Sequence, residues 1–220
     1  MEVKKLNHYL ARQPIVDRNG HVIAYELLYR NSEENVYTAQ DPNIATRQVL
    51  ETAYHVMGLE MVSQNLPVFV NFTRDLLVQH QQWNIAPGQL IIEVVETIEF
   101  DQELLKALNQ LKKAGYQIGL DDFNCNLSVA GIPEIIRVAD FIKIDFQAPF
   151  DRQKCTEQLA KRSGKRLIAE KIETLEEYKR ALDSGYAYFQ GYFFGKPEVL
   201  SASSTPMLID DQILVHVPRS

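Results

Sequence analysis

At 220 residues with 45% hydrophobic content, the chain can bury one full-sized core, and a single α/β domain or barrel is the natural expectation. Its 23 basic and 29 acidic residues leave a net charge of −6 with no Lys/Arg stripe, which argues against DNA as a partner. Cys125 and Cys155 are too few for a disulfide framework and lack zinc-site spacing; Met1 to Leu10 lack a signal-peptide core, and no run reaches the ~18 to 20 apolar residues of a membrane span, so a cytoplasmic protein off the membrane is expected.

In chain order, "YLARQPIVD" and "HVIAYELLYR" flank the turn signal "RNG" and predict an opening antiparallel hairpin over Tyr9 to Arg30. A helix follows over Pro42 to Gly58, with Ile44, Val49, Leu50, Ala53 and Val56 at helical spacing and Asp41 as N-cap. Six apolar runs then read as strands: "PVFVNF", "QLIIEVVE", "YQIGLDDF", "ADFIKIDF", "KRLIAEKI" and "YAYFQGYFF". Segments 101–114, 151–162 and 174–184 carry helical periodicity, with stop signals such as Gly115 and Gly185. The alternation predicts a parallel sheet covered by helices, compatible with a doubly wound fold or a closed barrel. Residues 1–200 are expected to form the barrel domain and 201–220 a tail or capping segment; the stretch from Glu198 reads equally as a capping strand or a linker end.

Successive strands end in polar or charged residues: Asn71, Glu93, Asp121 with Asp122, Lys143 with Asp145, Glu170, and Gln190, while the hairpin adds Glu26. In a parallel barrel these ends converge on one mouth. A doubly wound sheet would carry a Gly-rich phosphate turn, and no G-x-G-x-x-G occurs, so the barrel is favoured. Two carboxylates ~4 Å apart repel by roughly 4 kcal/mol at an effective dielectric of ~20, so such a mouth calls for something cationic. Oxygen donors without His or Cys select Mg²⁺, Mn²⁺ or Ca²⁺ over Zn²⁺. The adjacent Asp121 and Asp122 suit a bridged pair of ions, and Lys143 suits an attacking water or developing charge. Taken singly, each residue is an ordinary strand-end side chain; Glu96 and Glu173 are ordinary first-turn helix acids, and Arg30 an exposed strand-end charge. The coincidence across six consecutive strands sets them apart.

From about Leu10 to Pro197 these motifs resemble the EAL domain family, whose members hydrolyse or bind cyclic di-GMP. The signature appears as Glu26-Leu27-Leu28-Tyr29-Arg30, followed by Asn71-Phe72-Thr73, Glu93-Val94-Val95-Glu96, Asp121-Asp122-Phe123, Lys143-Ile144-Asp145, "AEKIET" and Gln190-Gly191-Tyr192. The resemblance implies an α/β fold, a (β/α)8 TIM-type barrel with an antiparallel first strand. It implies a two-metal site of Mg²⁺ or Mn²⁺ on Glu26, Asn71, Glu93, Asp121 and Asp122, with Lys143, Glu170 and Glu26 catalytic. Arg30, Leu28, Gln190, Asp145 and the Gln13-Pro14 step would contact substrate, and Glu96 and Glu173 would anchor the loop after the aspartate pair. The implied function is metal-dependent hydrolysis of cyclic di-GMP to linear pGpG. Two departures stand out: Asn124-Cys125-Asn126 replaces Gly-Thr-Gly, and Lys171 replaces a glycine in "AEKIET". The opening "ARQPIVDRNG" and "AEKIET" look most like EAL domains that precede an HDOD domain; the 23 residues after Pro197 are too few for one, so either this member stands alone or the sequence is part of a longer chain. That subgroup carries the alternative reading, a catalytically weak or inactive receptor or scaffold acting through cyclic di-GMP, a protein partner or a homodimer.

Overall fold

The computed structural model describes residues 6–79, 85–95, 101–123 and 132–204. The hairpin forms as expected from β1 (Leu6–Asp17) and β2 (Val22–Arg30), with Gln13 opposite Glu26 and a register shift between Ile15 and Val16. Asp17 closes its turn by accepting from the backbone amides of Asn19 and His21 at 2.8 and 2.9 Å. The expected helix starts as α1 (Pro42–Glu51), capped by Asp41, but its last part, Thr52–Val56, is a π-helical turn. A short α2 (Leu59–Ser63) leads into β3 (Val68–Phe72) and α3 (Arg74–Val78). Then come β4 (Leu90–Val94), α4 (Gln102–Lys113), β5 (Gln117–Leu120), α5 (Ile132–Val138), β6 (Phe141–Asp145) and α6 (Phe150–Arg162). The chain continues through β7 (Arg166–Glu170), α7 (Leu175–Asp183), β8 (Tyr188–Phe189) and β9 (Glu198–Ser204). The helices α2, α3 and α5 are too short for periodicity to reveal.

Among the described residues the strands form one sheet in the order β2-β3-β4-β5-β6-β7-β8-β1-β9, and the β1–β2 pairing closes it into a barrel. Strands β2 to β8 are parallel neighbours, while β1 is antiparallel to both β2 and β8. The first strand is therefore reversed, as the family resemblance implies. Strand β9 lies outside the closure, antiparallel to the N-terminal half of β1, with Arg12 ion-paired to Glu198 at 2.9 Å. No helix among the described residues is long and apolar enough to cross a membrane.

The period of two along a strand divides each chain segment between two cores. Outward positions such as Leu27, Val70, Ile92, Leu120, Ile142 and Leu167 join helix residues such as Val49, Leu104, Leu108 and Ile136 in the main core. Ile15, Ala24, Phe69, Ile91, Phe141 and Ile168 form a separate cluster that plugs the barrel. Phe69 and Phe141 meet edge to face at 5.3 Å, and the Arg166 guanidinium lies 3.8 Å over the Phe141 ring. On β5 the corresponding position is Gly119, where a Cβ would stand 3.4 Å from the Phe69 ring. The missing side chain makes room for the phenylalanine.

Phe69 is fully buried beneath the mouth, so Phe69→Ala leaves a cavity that the rigid barrel cannot collapse. The expected cost is about 3 to 5 kcal/mol of stability, read by urea titration. Gly191 is packed against the backbone of Ile172, where any Cβ would collide with carbonyl and amide atoms. Gly191→Ala should therefore lower the melting temperature, whereas the same change at Gly20, with open space around it, should have a much smaller effect.

Candidate active site

Each residue that plugs the barrel lies two positions from one that lines its mouth. Ala24 is followed by Glu26, Phe69 by Asn71, Ile91 by Glu93, Gly119 by Asp121, Phe141 by Lys143, Ile168 by Glu170 and Tyr188 by Gln190; on the reversed β1, Gln13 precedes Ile15. Period-two alternation thus stacks a polar layer on the apolar one. Lys143 is its centre, fully buried, with Nζ 2.6 Å from both Glu93 Oε1 and Glu170 Oε1. The same ammonium lies 3.2 Å from Glu26 Oε2 and 3.3 Å from Asp121 Oδ1. Four acids, three on strands and Asp121 just past the end of β5, surround one cation.

The cation that carboxylate crowding demands is thus supplied in part by the protein itself. Desolvation works against the Lys143 ammonium, but the four carboxylates outweigh it and hold its pKa well above the usual value. Burial pushes the carboxyls of Glu93 and Glu170 well up, with Lys143 opposing and the neighbouring acids adding to the rise. One ammonium leaves this ring acid-rich.

Amides complete the layer. Gln190 Nε2 donates to Glu26 Oε2 at 2.7 Å and to Gln13 Oε1 at 3.1 Å, and Asn71 Nδ2 donates to Glu26 Oε1 at 3.3 Å. Gln13 in turn donates to the Gly195 carbonyl at 3.0 Å. Of the Gln13-Pro14 step, the glutamine is the residue that reaches the mouth; strand alternation turns Pro14 away, toward Gly195. Above this layer opens a cavity of about 340 Å³, lined by Gln13, Glu26, Leu28, Asp121, Asp122, Glu170, Lys171, Glu173, Gln190, Gly191, Tyr192 and Pro197.

The outer rim holds a second pairing that strand-end spacing did not reveal. Lys171 Nζ is 3.1 Å from Asp122 Oδ2 and 2.7 Å from Asp145 Oδ2. Asp122 and Lys171 both adopt left-handed backbone, with φ of 41° and 55°. The replaced glycine was the available clue, since that conformation is where glycine is unstrained. Asp122 has a raised pKa because desolvation exceeds the relief from Lys171.

Arg30 is buried rather than exposed: Nε donates to Asn35 Oδ1 at 2.8 Å and Nη1 to the Tyr29 carbonyl at 2.6 Å. Asn35 continues to the Pro197 carbonyl at 2.7 Å, tying the β2 end to the cavity rim. Leu28 separates the mouth from an apolar cavity of about 210 Å³ beside α1. Glu173 precedes the N-cap Thr174, and the first-turn acids of α7 are Glu176 and Glu177. Glu96 and the Asn124-Cys125-Asn126 segment lie outside the described residues.

Divalent metal fits the donor set. Asp121, Asp122 and Glu170 each bring a carboxylate oxygen within 4.8 Å of the others. Buried oxygens of Glu93 (Oε2), Asn71 (Oδ1), Asp122 (Oδ1) and Gln190 (Oε1) have no hydrogen-bond partner. All four are acceptors, and unpaired buried acceptors are costly unless a donor or cation meets them. A set made of oxygens alone suits a hard cation.

Comparison with known proteins agrees with this geometry. The model of the EAL domain matches residues 3–197. An uncharacterized protein of Bacillus subtilis, YuxH, is 39% identical over 197 residues, covering 88% of this chain and 48% of the relative. The cyclic di-GMP phosphodiesterase CdgJ of Vibrio cholerae is 31% identical over 196 residues, covering 87% and 45%. The chain spans about half the length of these relatives. Among solved structures, Bacillus subtilis YkuI, with an EAL domain in complex with cyclic di-GMP and calcium, superposes with a TM-score of 0.65 at 22% identity, covering 91% of this chain and 55% of that one. With the family model spanning most of its length and a barrel whose first strand is reversed, this chain belongs to the EAL domain family.

Proposed function

We propose that this chain is a cytoplasmic, metal-dependent phosphodiesterase domain that opens cyclic di-GMP to linear pGpG. The observation that carries the proposal is the acid-rich ring around Lys143 beneath an open cavity, with unpaired oxygens on Asn71, Glu93 and Asp122. Glu26, Asn71, Glu93, Asp121 and Asp122 would hold two Mg²⁺ or Mn²⁺ ions. Bound there, such ions lower the pKa of a water and offset charge on a phosphodiester. Glu170, buried and paired to Lys143 at 2.6 Å, accepts a proton from the attacking water. Lys143 holds Glu170 and Glu93 in place and directs its charge toward the reacting phosphate. Gln13, Leu28, Arg30, Asp145 and Gln190 would orient the dinucleotide, and the family resemblance alone gives Glu96 and Glu173 a loop-anchoring role. The names of the Vibrio relative and of the calcium-bound Bacillus structure support the ligand class.

Purified protein with Mg²⁺ or Mn²⁺ should convert cyclic di-GMP to pGpG, followed by chromatography, and Glu26→Ala should abolish conversion. Absence of turnover with either metal across a range of pH would sink the proposal. Lys143→Met should also abolish turnover. In chelator it should cost about 3 to 5 kcal/mol of stability, because Glu93 and Glu170 lose their buried partner.

A receptor without turnover is the second reading, favoured by the Lys171 ammonium on Asp122, a proposed metal ligand. Calorimetry separates the readings: cyclic di-GMP binding without hydrolysis supports a receptor, and no binding points to a protein partner.

A further inference from the structure

Lys171 sits where the backbone favours a residue without a side chain. Its φ of 55° turns the chain immediately after β7. The half-exposed side chain reaches Asp122 at 3.1 Å and Asp145 at 2.7 Å. Gln147 holds the arrangement from both ends: its backbone amide donates to Asp145 Oδ1 at 2.6 Å, and its side-chain amide donates to the Lys171 carbonyl and to Glu177 Oε1, each at 3.1 Å. Both oxygens of Asp145 are therefore occupied. Asp122 differs, because Lys171 holds Oδ2 while Oδ1 is buried and unpaired.

Asp122 belongs to the Asp121-Asp122-Glu170 cluster, so the Lys171 ammonium stands one carboxylate away from an ion bound there. A dication and an ammonium sharing one carboxylate repel each other, and the shared oxygens lose donor strength to the ammonium. Lys143 pairs with acids of both halves, Glu26 and Glu93 as well as Asp121 and Glu170, so it does not distinguish the two sites, and among the described residues no second ammonium reaches Glu93 or Asn71 from the rim. From this asymmetry we infer that Lys171 is a tethered counter-cation that weakens the outer of the two divalent sites, so that the domain fills its ions one after the other. The inference rests on the two-ion reading proposed above and assigns Lys171 a positioning and tuning role.

The test uses metal-stripped protein without nucleotide. Mn²⁺ binding is followed by electron paramagnetic resonance of the free ion and by calorimetry, for the parent protein, Lys171→Met and Lys171→Gly. Lys171→Met removes the charge and keeps a side chain on the left-handed backbone, while Lys171→Gly removes both and relieves the backbone. Because the side chain is half-exposed and partly screened, both variants should tighten the weaker Mn²⁺ site by about tenfold and leave the tighter one nearly unchanged. A weaker site unchanged or loosened in both variants overturns the inference while leaving the two-ion reading intact. Tightening in Lys171→Gly alone assigns the effect to backbone strain and also overturns it. No Mn²⁺ bound by any of the three proteins overturns the two-ion reading, and the inference with it.

Discussion

A buried ammonium constrains everything around it. Lys143 is fully removed from solvent at the centre of a barrel, and taking such an ion out of water costs several kcal/mol after relaxation. Its compensation comes from β2, β4, β7 and the residue after β5, which places one acid each at Glu26, Glu93, Glu170 and Asp121. Sliding one of these strands by one position would turn its acid outward and send an apolar neighbour into the mouth. Charge compensation and strand register therefore enforce each other.

The same alternation explains why a polar ring can exist inside a folded core. Below the ring, Phe69, Phe141, Ile91 and Ile168 fill the barrel, and Gly119 yields the space that Phe69 occupies. This plug excludes water from beneath Lys143 and lowers the local dielectric, which strengthens each of its ion pairs. Removing plug volume would thus weaken the electrostatics above it as well as the packing.

Strand alternation made most of this legible in the sequence. Polar residues following apolar runs at Asn71, Glu93, Asp121, Lys143, Glu170 and Gln190 place themselves on one face, because a strand offers only two. What lay beyond reach depended on side-chain direction or on short elements. Charge counting demanded a cation without indicating that Lys143 would be that cation, shared among four acids. The burial of Arg30 depended on Asn35, a loop residue without periodicity. The role of Lys171 depended on a left-handed φ that a sequence marks only through the glycine it lacks. Strand β9 follows a tight series of turns after β8, and its pairing with the first half of β1 is a contact between the two ends of the described chain.

The two lysines of the mouth divide its electrostatics by burial. Lys143 has no solvent to turn to, since leaving its acids would strand charges on both sides of the broken pairs. Lys171 keeps about half of its side chain in water, so its pairs with Asp122 and Asp145 compete with hydration and are correspondingly cheap to break. An inner charge that is fixed and an outer charge that can yield give the ring two kinds of response to an incoming cation or anion. The inner half is held in place by buried pairs, while the outer half rests on an ammonium that water partly solvates. That division follows from burial and geometry alone, and at Asp122 it is carried by one oxygen held by Lys171 and another that is buried and unpaired.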